Sequence, residues 1–207
     1  LAFAAIMLVA IAVPFVLTMI FRRLGLFTKV EDEAVKAPQA EALTEAKKSA
    51  PLADLVEISS PLSGQVKELS QATDPVFAQG VMGQGVLIEP SQGDLLAPVD
   101  GVVSVLFPTK HAVGIVSDQG VEMLMHIGMD TVSLDGKGFE AHVAQGDKVT
   151  VGQKLISFDM DVIKKAGLVT ETPVIITNQD DFQADVEGNL PRDIKRGDVL
   201  MIAHRTK

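Results

Sequence analysis

From Leu55 onward the chain is a succession of short apolar runs, many alternating with polar residues, cut by Gly or Pro roughly every eight to twelve residues. Gly85-Val-Leu-Ile-Glu89, Gly101-Val-Val-Ser-Val-Leu-Phe107, His111-Ala-Val-Gly-Ile-Val-Ser117, Val121-Glu-Met-Leu-Met-His-Ile127, Lys154-Leu-Ile-Ser-Phe158 and Thr172-Pro-Val-Ile-Ile-Thr-Asn178 are the clearest. Runs this short, punctuated this often, predict an all-β antiparallel sandwich or barrel. One stretch reads as helix, Met160 to Ala166, stopped by Gly167.

The pattern before Leu55 is different. Leu1 to Phe21 carries no charged residue. At 1.5 Å per residue it is long enough to cross a bilayer core of roughly 30 Å, and Pro14 would kink it. Arg22 and Arg23 follow at once, which by the positive-inside rule places the remainder in the cytoplasm. A signal peptide would need a basic stretch before the apolar run and a small-residue cleavage site after it, and neither is there. Residues 1–23 are therefore expected to span the membrane. Residues 24–54, rich in Ala, Glu and Lys from Thr28 to Ala53, are expected to be a solvated linker. Residues 55–207 are expected to form the folded cytoplasmic domain.

Within that domain the sequence repeats. Ser60-Pro-Leu-Ser-Gly-Gln-Val-Lys-Glu-Leu69 and Ala97-Pro-Val-Asp-Gly-Val-Val-Ser-Val-Leu106 both read small–Pro–x–x–Gly–x–Val–x–x–Leu. Each supplies a Pro-led turn, a Gly that permits positive φ, and a strand. Val149-Thr-Val-Gly-Gln-Lys-Leu155 matches Ile194-Lys-Arg-Gly-Asp-Val-Leu200. One early and one late half per copy predicts a duplicated hybrid (barrel-sandwich) motif packed face to face. The repeat also resembles lipoyl and biotinyl carriers, which present a lysine at a hairpin tip. Met160 with Lys164 and Lys165 is the nearest imitation, and its spacing is wrong.

Composition narrows the chemistry. Cysteine is absent, which removes disulfides, thiolate nucleophiles and Cys-type zinc sites. Trp and Tyr are absent too, so base-stacking platforms are not expected. The formal net charge is −9, and the segment from Leu55 accounts for all of it, with 21 acidic against 12 basic side chains. Such a surface repels nucleic acid and speeds encounter with a basic protein.

Four histidines remain. His142 and His204 lie in polar surroundings. His126 ends an apolar strand beside a Gly, and His111 begins another strand, so the two could meet across neighbouring strands. Three chemistries could use such a pair. A zinc site is one, since His126-x-x-x-Asp130 resembles the first half of that of membrane-anchored cell-wall endopeptidases. The later His-x-His that would complete it does not occur in the sequence, so no metal is expected. General acid–base catalysis is the second. The third is covalent catalysis, with an imidazole nitrogen attacking phosphorus.

Three runs carry a specific resemblance: Ala97-Pro-Val-Asp-Gly101, Pro108-Thr-Lys-His-Ala-Val-Gly-Ile115 and Gly120-Val-Glu-Met-Leu-Met-His-Ile-Gly-Met-Asp-Thr-Val132. With Asp74-Pro-Val-Phe-Ala-Gln-Gly80, Gly83-Gln-Gly85, Gly138-Phe139, Gly146 to Gly152 and Thr172 to Asn178, the domain resembles the glucose-type IIA domain of the phosphoenolpyruvate-dependent sugar phosphotransferase system from about Leu55 to Ala203. The resemblance implies that His126 carries the phosphoryl group, that His111 contacts it, and that Thr109 hydrogen-bonds the His111 ring. It implies that Gly128 orients the His126 imidazole, with Asp130 beside it. Phe77, Val81, Met82, Phe107, Leu124 and Val132 fall on an apolar docking rim, with Leu124 where an aromatic is often found. No cofactor is implied, since the phosphate rides on histidine. The implied donor is phospho-HPr and the acceptor is a cysteine on a IIB domain, which this cysteine-free chain cannot supply. The apolar start resembles the last helix of a IIC permease. A start at Leu1 suggests a longer protein, in the order IIB–IIC–IIA found in sucrose, trehalose and β-glucoside transporters. The competing expectation is a regulatory binding module that uses the same apolar face.

Overall fold

The computed structural model describes residues 55–206. The expected membrane span and linker lie outside the described residues. Among the described residues no helix is long and apolar enough to cross a membrane.

The described residues form fourteen strands: β1 (Leu55–Ser59), β2 (Gly64–Glu68), β3 (Gln84–Pro90), β4 (Asp94–Leu96), β5 (Gly101–Leu106), β6 (Ala112–Ser117), β7 (Glu122–His126), β8 (Phe139–Ala141), β9 (Lys148–Val149), β10 (Lys154–Phe158), β11 (Thr172–Ile176), β12 (Phe182–Val186), β13 (Arg192–Ile194) and β14 (Val199–Arg205). Eight make one sheet in the order β13-β2-β3-β11-β7-β6-β5-β9, and two three-stranded sheets, β1-β14-β12 and β4-β10-β8, complete the sandwich. The pairings are antiparallel. This is the all-β class that the apolar runs predict.

The strand order is the same read from either edge toward the β11–β7 pair, and the sequence repeat is the reason. Gly64 faces Ile194 across β2 and β13, as Gly101 faces Val149 across β5 and β9. Ser60 N–H donates to the Asp198 carbonyl at 2.7 Å, as Ala97 N–H does to Gln153 at 2.8 Å. The copies clasp through a reciprocal pair, Ser59 N–H to the Pro98 carbonyl and Leu96 N–H to the Pro61 carbonyl, both 3.0 Å. Gly64 takes the positive φ that the repeat permits, at 156°, whereas Gly101 does not, and both are needed for space. A Cβ on Gly64 would lie 2.0 Å from the Glu89 carbonyl oxygen, and one on Gly101 2.2 Å from that of Val116.

Alternation along the central strands separates two apolar layers. Val86, Ile88, Val174, Ile176, Met123 and Met125 point into the main core. Their neighbours Leu87, Ile175 and Leu124 point the other way, where a smaller cluster forms with Leu69, Ala72, Phe77 and Met129. Helix α1 (Pro75–Ala78) supplies Phe77 to that cluster. Asp74 caps it by accepting from Val76 N–H at 2.7 Å, and Pro75 opens it. This turn of helix was not expected from the sequence. The expected helix is present as α2 (Met160–Lys165), capped by Asp159 and followed by Gly167 at φ 77°. Lys164 and Lys165 lie in its last turn, not on a hairpin tip.

Candidate functional site

The parity that buries Met123 and Met125 turns Leu124 and His126 to the outer face of β7. His126 pairs with Ala112 in the β6–β7 ladder, and Ile127 N–H donates to the His111 carbonyl at 2.7 Å. Adjacent strands thereby bring the two imidazoles together, with centroids 4.8 Å apart and planes at 77°. Phe77 lies 5.4 Å from His126 on one side, and Phe107 lies 5.3 Å from His111 on the other. The result is a row of four rings. His111 is 6% exposed, while His126 is half-buried and still reaches the surface.

Hydrogen bonds assign the ring nitrogens. His126 Nδ1 lies 2.7 Å from the Gly128 carbonyl oxygen. A carbonyl can only accept, so Nδ1 carries the proton and donates, and the Nε2 lone pair is left free. His111 Nδ1 lies 2.5 Å from Thr109 Oγ1. When the Thr109 hydroxyl donates there, the His111 proton sits on Nε2, which then becomes a donor facing outward from the turn.

The Gly128 carbonyl is held by its surroundings. Gly128 has φ 69°, and a Cβ there would lie 2.6 Å from Thr131 Cγ2 and 2.7 Å from the Val169 carbonyl oxygen. Met129 N–H donates to that same Val169 carbonyl at 3.1 Å, and the buried Thr131 hydroxyl donates to Ile127 O at 2.6 Å. Asp130, exposed and left-handed at φ 57°, makes no side-chain bond to the helical turn it leads into, Thr131–Leu134.

Burial pushes both imidazoles toward the neutral form. His111 falls from 6.5 to about 3, chiefly by desolvation, with the neighbouring His126 adding to the effect. His126 is also lowered by desolvation. The Gly128 carbonyl and the carboxylates of Asp74 and Asp130 oppose that shift. At neutral pH the pair is thus two uncharged rings, with His126 offering a lone pair.

The expected rim residues divide by burial. Phe77, 7% exposed, is the floor against the His126 ring; Met82, Phe107 and Leu124 are half-buried; Val81 and Val132 are exposed. Val76 and Val169 are exposed as well and extend the apolar margin, although no motif in the sequence singles them out. Asp74 also escaped the sequence reading, yet its carboxylate acts on His126 from α1. The other histidines have polar partners of their own: His142 Nε2 lies 2.8 Å from Ser157 Oγ, and His204 Nε2 lies 2.8 Å from Asp185 Oδ2. Among the described residues no three of His, Cys, Asp and Glu converge as a metal site would require.

A neutral imidazole with one nitrogen fixed and the other open, beside a second imidazole and inside an apolar margin, is equipped for nucleophilic attack on a phosphoryl group. Comparison with known proteins points the same way. A profile described as phosphoenolpyruvate-dependent sugar phosphotransferase system, EIIA 1, matches residues 56–182. The chain is 54% identical over 125 residues to a PTS system beta-glucoside-specific EIIBCA component of Bacillus subtilis, covering 60% of this chain and 20% of that protein. It is 50% identical over 123 residues to a PTS system glucose-specific EIIA component of Bacillus cereus, covering 59% and 74%. The structure resembles glucose permease IIA from Mycoplasma capricolum with a TM-score of 0.66 and 39% identity, over 74% of this chain and 98% of that one. The chain spans about a fifth of the length of the first fused relatives it matches.

Proposed function

The chain belongs to the EIIA 1 family of the phosphoenolpyruvate-dependent sugar phosphotransferase system, and on that premise we propose that His126 carries a phosphoryl group from phospho-HPr to a cysteine of a IIB domain. Members of this family are phosphotransferase components of sugar-transport systems. The observation that carries the residue assignment is the bond from His126 Nδ1–H to the Gly128 carbonyl, which leaves Nε2 as nucleophile.

In the accepting step the Nε2 lone pair attacks phosphorus. A new N–P bond forms, and the donor's bond to phosphorus breaks with its electron pair returning to the donor. Nδ1 keeps its proton on Gly128 throughout, so the positive charge that develops on the ring is shared with that carbonyl. His111, oriented by Thr109, donates from Nε2 to a phosphoryl oxygen, whose charge grows as the bonds exchange. In the forward step a thiolate attacks phosphorus and the His126 nitrogen leaves with the bonding pair, ready for another cycle. The apolar margin of Val81, Met82, Phe107, Leu124 and Val132 takes the partner's surface and keeps water from the phosphoimidazole. Because the contact is apolar, the same face can receive donor and acceptor in turn.

For the whole protein the reading is a fused permease in IIB–IIC–IIA order, supported by the likeness to EIIBCA components. The uncharged run to Phe21 with Arg22 and Arg23 after it supports attachment to the cell membrane, with residues 24–207 in the cytoplasm.

Incubation with phosphoenolpyruvate, enzyme I and HPr tests this. The wild type should take up one phosphoryl group and His126→Ala none; label on another residue would refute the assignment. Subsequent loss of label to a cysteine-containing IIB domain marks a relay, and retention of the label would mark a regulatory binding module instead.

A further inference from the structure

The histidine site is built from two segments far apart in sequence, and one side chain joins them. Glu171 Oε1 accepts from Thr73 N–H at 2.7 Å, across 98 positions. On one side of the joint, Thr73 leads into Asp74, which caps α1, and α1 places the Phe77 ring against His126. On the other side, Glu171 follows Val169, whose carbonyl accepts from Met129 N–H and bounds the space beside Gly128. Glu171 is itself anchored, because Thr172 after it opens β11 and is fully buried, its hydroxyl donating to the Thr170 carbonyl at 3.0 Å.

Helix α1 has four residues, too few to hold its own shape without tertiary contacts. The Phe77 cluster supplies apolar contact, which resists separation but leaves sliding and rotation open. A directional, charge-assisted bond at the entry to the turn removes that freedom.

We propose that Glu171 is a positioning residue for phosphoryl transfer: its carboxylate clamps the Thr73–Ala78 turn to the segment that seats Gly128, and so holds the Phe77 floor against the His126 ring. This rests on the reading of His126 as phosphoryl carrier. Loosening the clamp leaves both imidazoles and their hydrogen bonds in place. What changes is the surface that a docking partner meets at exposed Val76 and Val81, and the Phe77 floor beneath it that keeps water off the phosphoimidazole.

The test uses the full chain with Glu171→Ala and Glu171→Gln, the second keeping an acceptor oxygen. Amide hydrogen exchange is measured at Thr73, Ala78, Gln79 and Gly80, followed by KM and kcat with phospho-HPr and the hydrolysis rate of the phosphorylated protein. Losing a bond of this kind corresponds to exchange faster by roughly tenfold at those amides in Glu171→Ala. KM should rise several-fold, kcat should hold within about twofold, and phosphoryl loss to water should quicken, with Glu171→Gln recovering most of each change. Wild-type exchange and KM in Glu171→Ala would overturn the proposal, as would a glutamine variant no better than alanine. A wild-type chain that takes no phosphoryl group would sink the His126 reading instead, and the exchange data would still decide whether the clamp exists.

Discussion

Replacing Gly128 by alanine probes the contact on which the nucleophile's aim depends. The added Cβ must occupy a left-handed backbone, which costs an L-residue about 1–2 kcal/mol. It must also stand 2.6 Å from Thr131 Cγ2 and 2.7 Å from the Val169 carbonyl oxygen. The Thr131 methyl has little room to yield, because its hydroxyl is tied to Ile127 O. The Val169 carbonyl is tied to Met129 N–H. Overlap in a packed site of this kind costs about 1–3 kcal/mol, so the total is about 2–5 kcal/mol. In a domain of this size the thermal midpoint should fall by at least about 4 °C. Relief requires the 127–130 turn to shift, which moves the carbonyl away from His126 Nδ1. Loss of that bond, worth about 0.5–1.5 kcal/mol net, should slow phosphorylation by about two- to tenfold in protein that is still folded. Urea unfolding gives the first number and single-turnover transfer from phospho-HPr the second. A Gly128→Ala protein with wild-type stability and wild-type transfer would refute the argument that this backbone position aims the ring.

Three further outcomes follow from the same geometry. His111→Gln should exchange the phosphoryl group more slowly than wild type both with HPr and with a IIB domain, and equal transfer in the two proteins would remove His111 from the mechanism. Stability should fall as the pH is lowered. His111 titrates near 6.5 when unfolded and near 3 when folded, so the unfolded chain binds more protons between those values. The His111 contribution is whole above pH 6.5 and shrinks by about 2 kcal/mol on going to pH 5, at about 1.4 kcal/mol per pH unit. The urea midpoints at pH 7 and pH 5 should therefore lie closer together in His111→Gln than in the wild type, and an equal gap in the two proteins would contradict the burial argument. Val81→Asp, at a side chain 60% exposed, should change stability by less than about 0.5 kcal/mol. It should raise KM for phospho-HPr with kcat nearly unchanged, and an unaltered KM would take Val81 out of the docking face.

Much of the fold was legible because its signals are local and repeated. Pro61 and Pro98 begin equivalent turns, and the second pair of repeats lies opposite the first in register. Period-2 alternation in Val121–His126 accounts for His126 lying on the side away from Met123 and Met125. The meeting of His126 with His111 was foreseeable only as an option, because it depends on which strands are neighbours and in which register. Three features were not read from the sequence. The turn of helix at Pro75–Ala78 is too short for any periodicity and is held by the outer apolar cluster and the Asp74 cap. Phe77 reads as a rim residue in sequence but is buried as a floor, because Leu87 and Ile175 of distant strands lie beneath it. Glu171 finds its partner 98 positions away, a distance across which sequence pattern carries no information.

The most direct measurement is the identity of the phosphorylated atom. Nitrogen-15 NMR of the histidines in the phosphorylated chain should place the N–P bond on Nε2 of residue 126, with Nδ1 still protonated toward Gly128. Phosphate on Nδ1 of that ring, or on any other residue, would contradict the account.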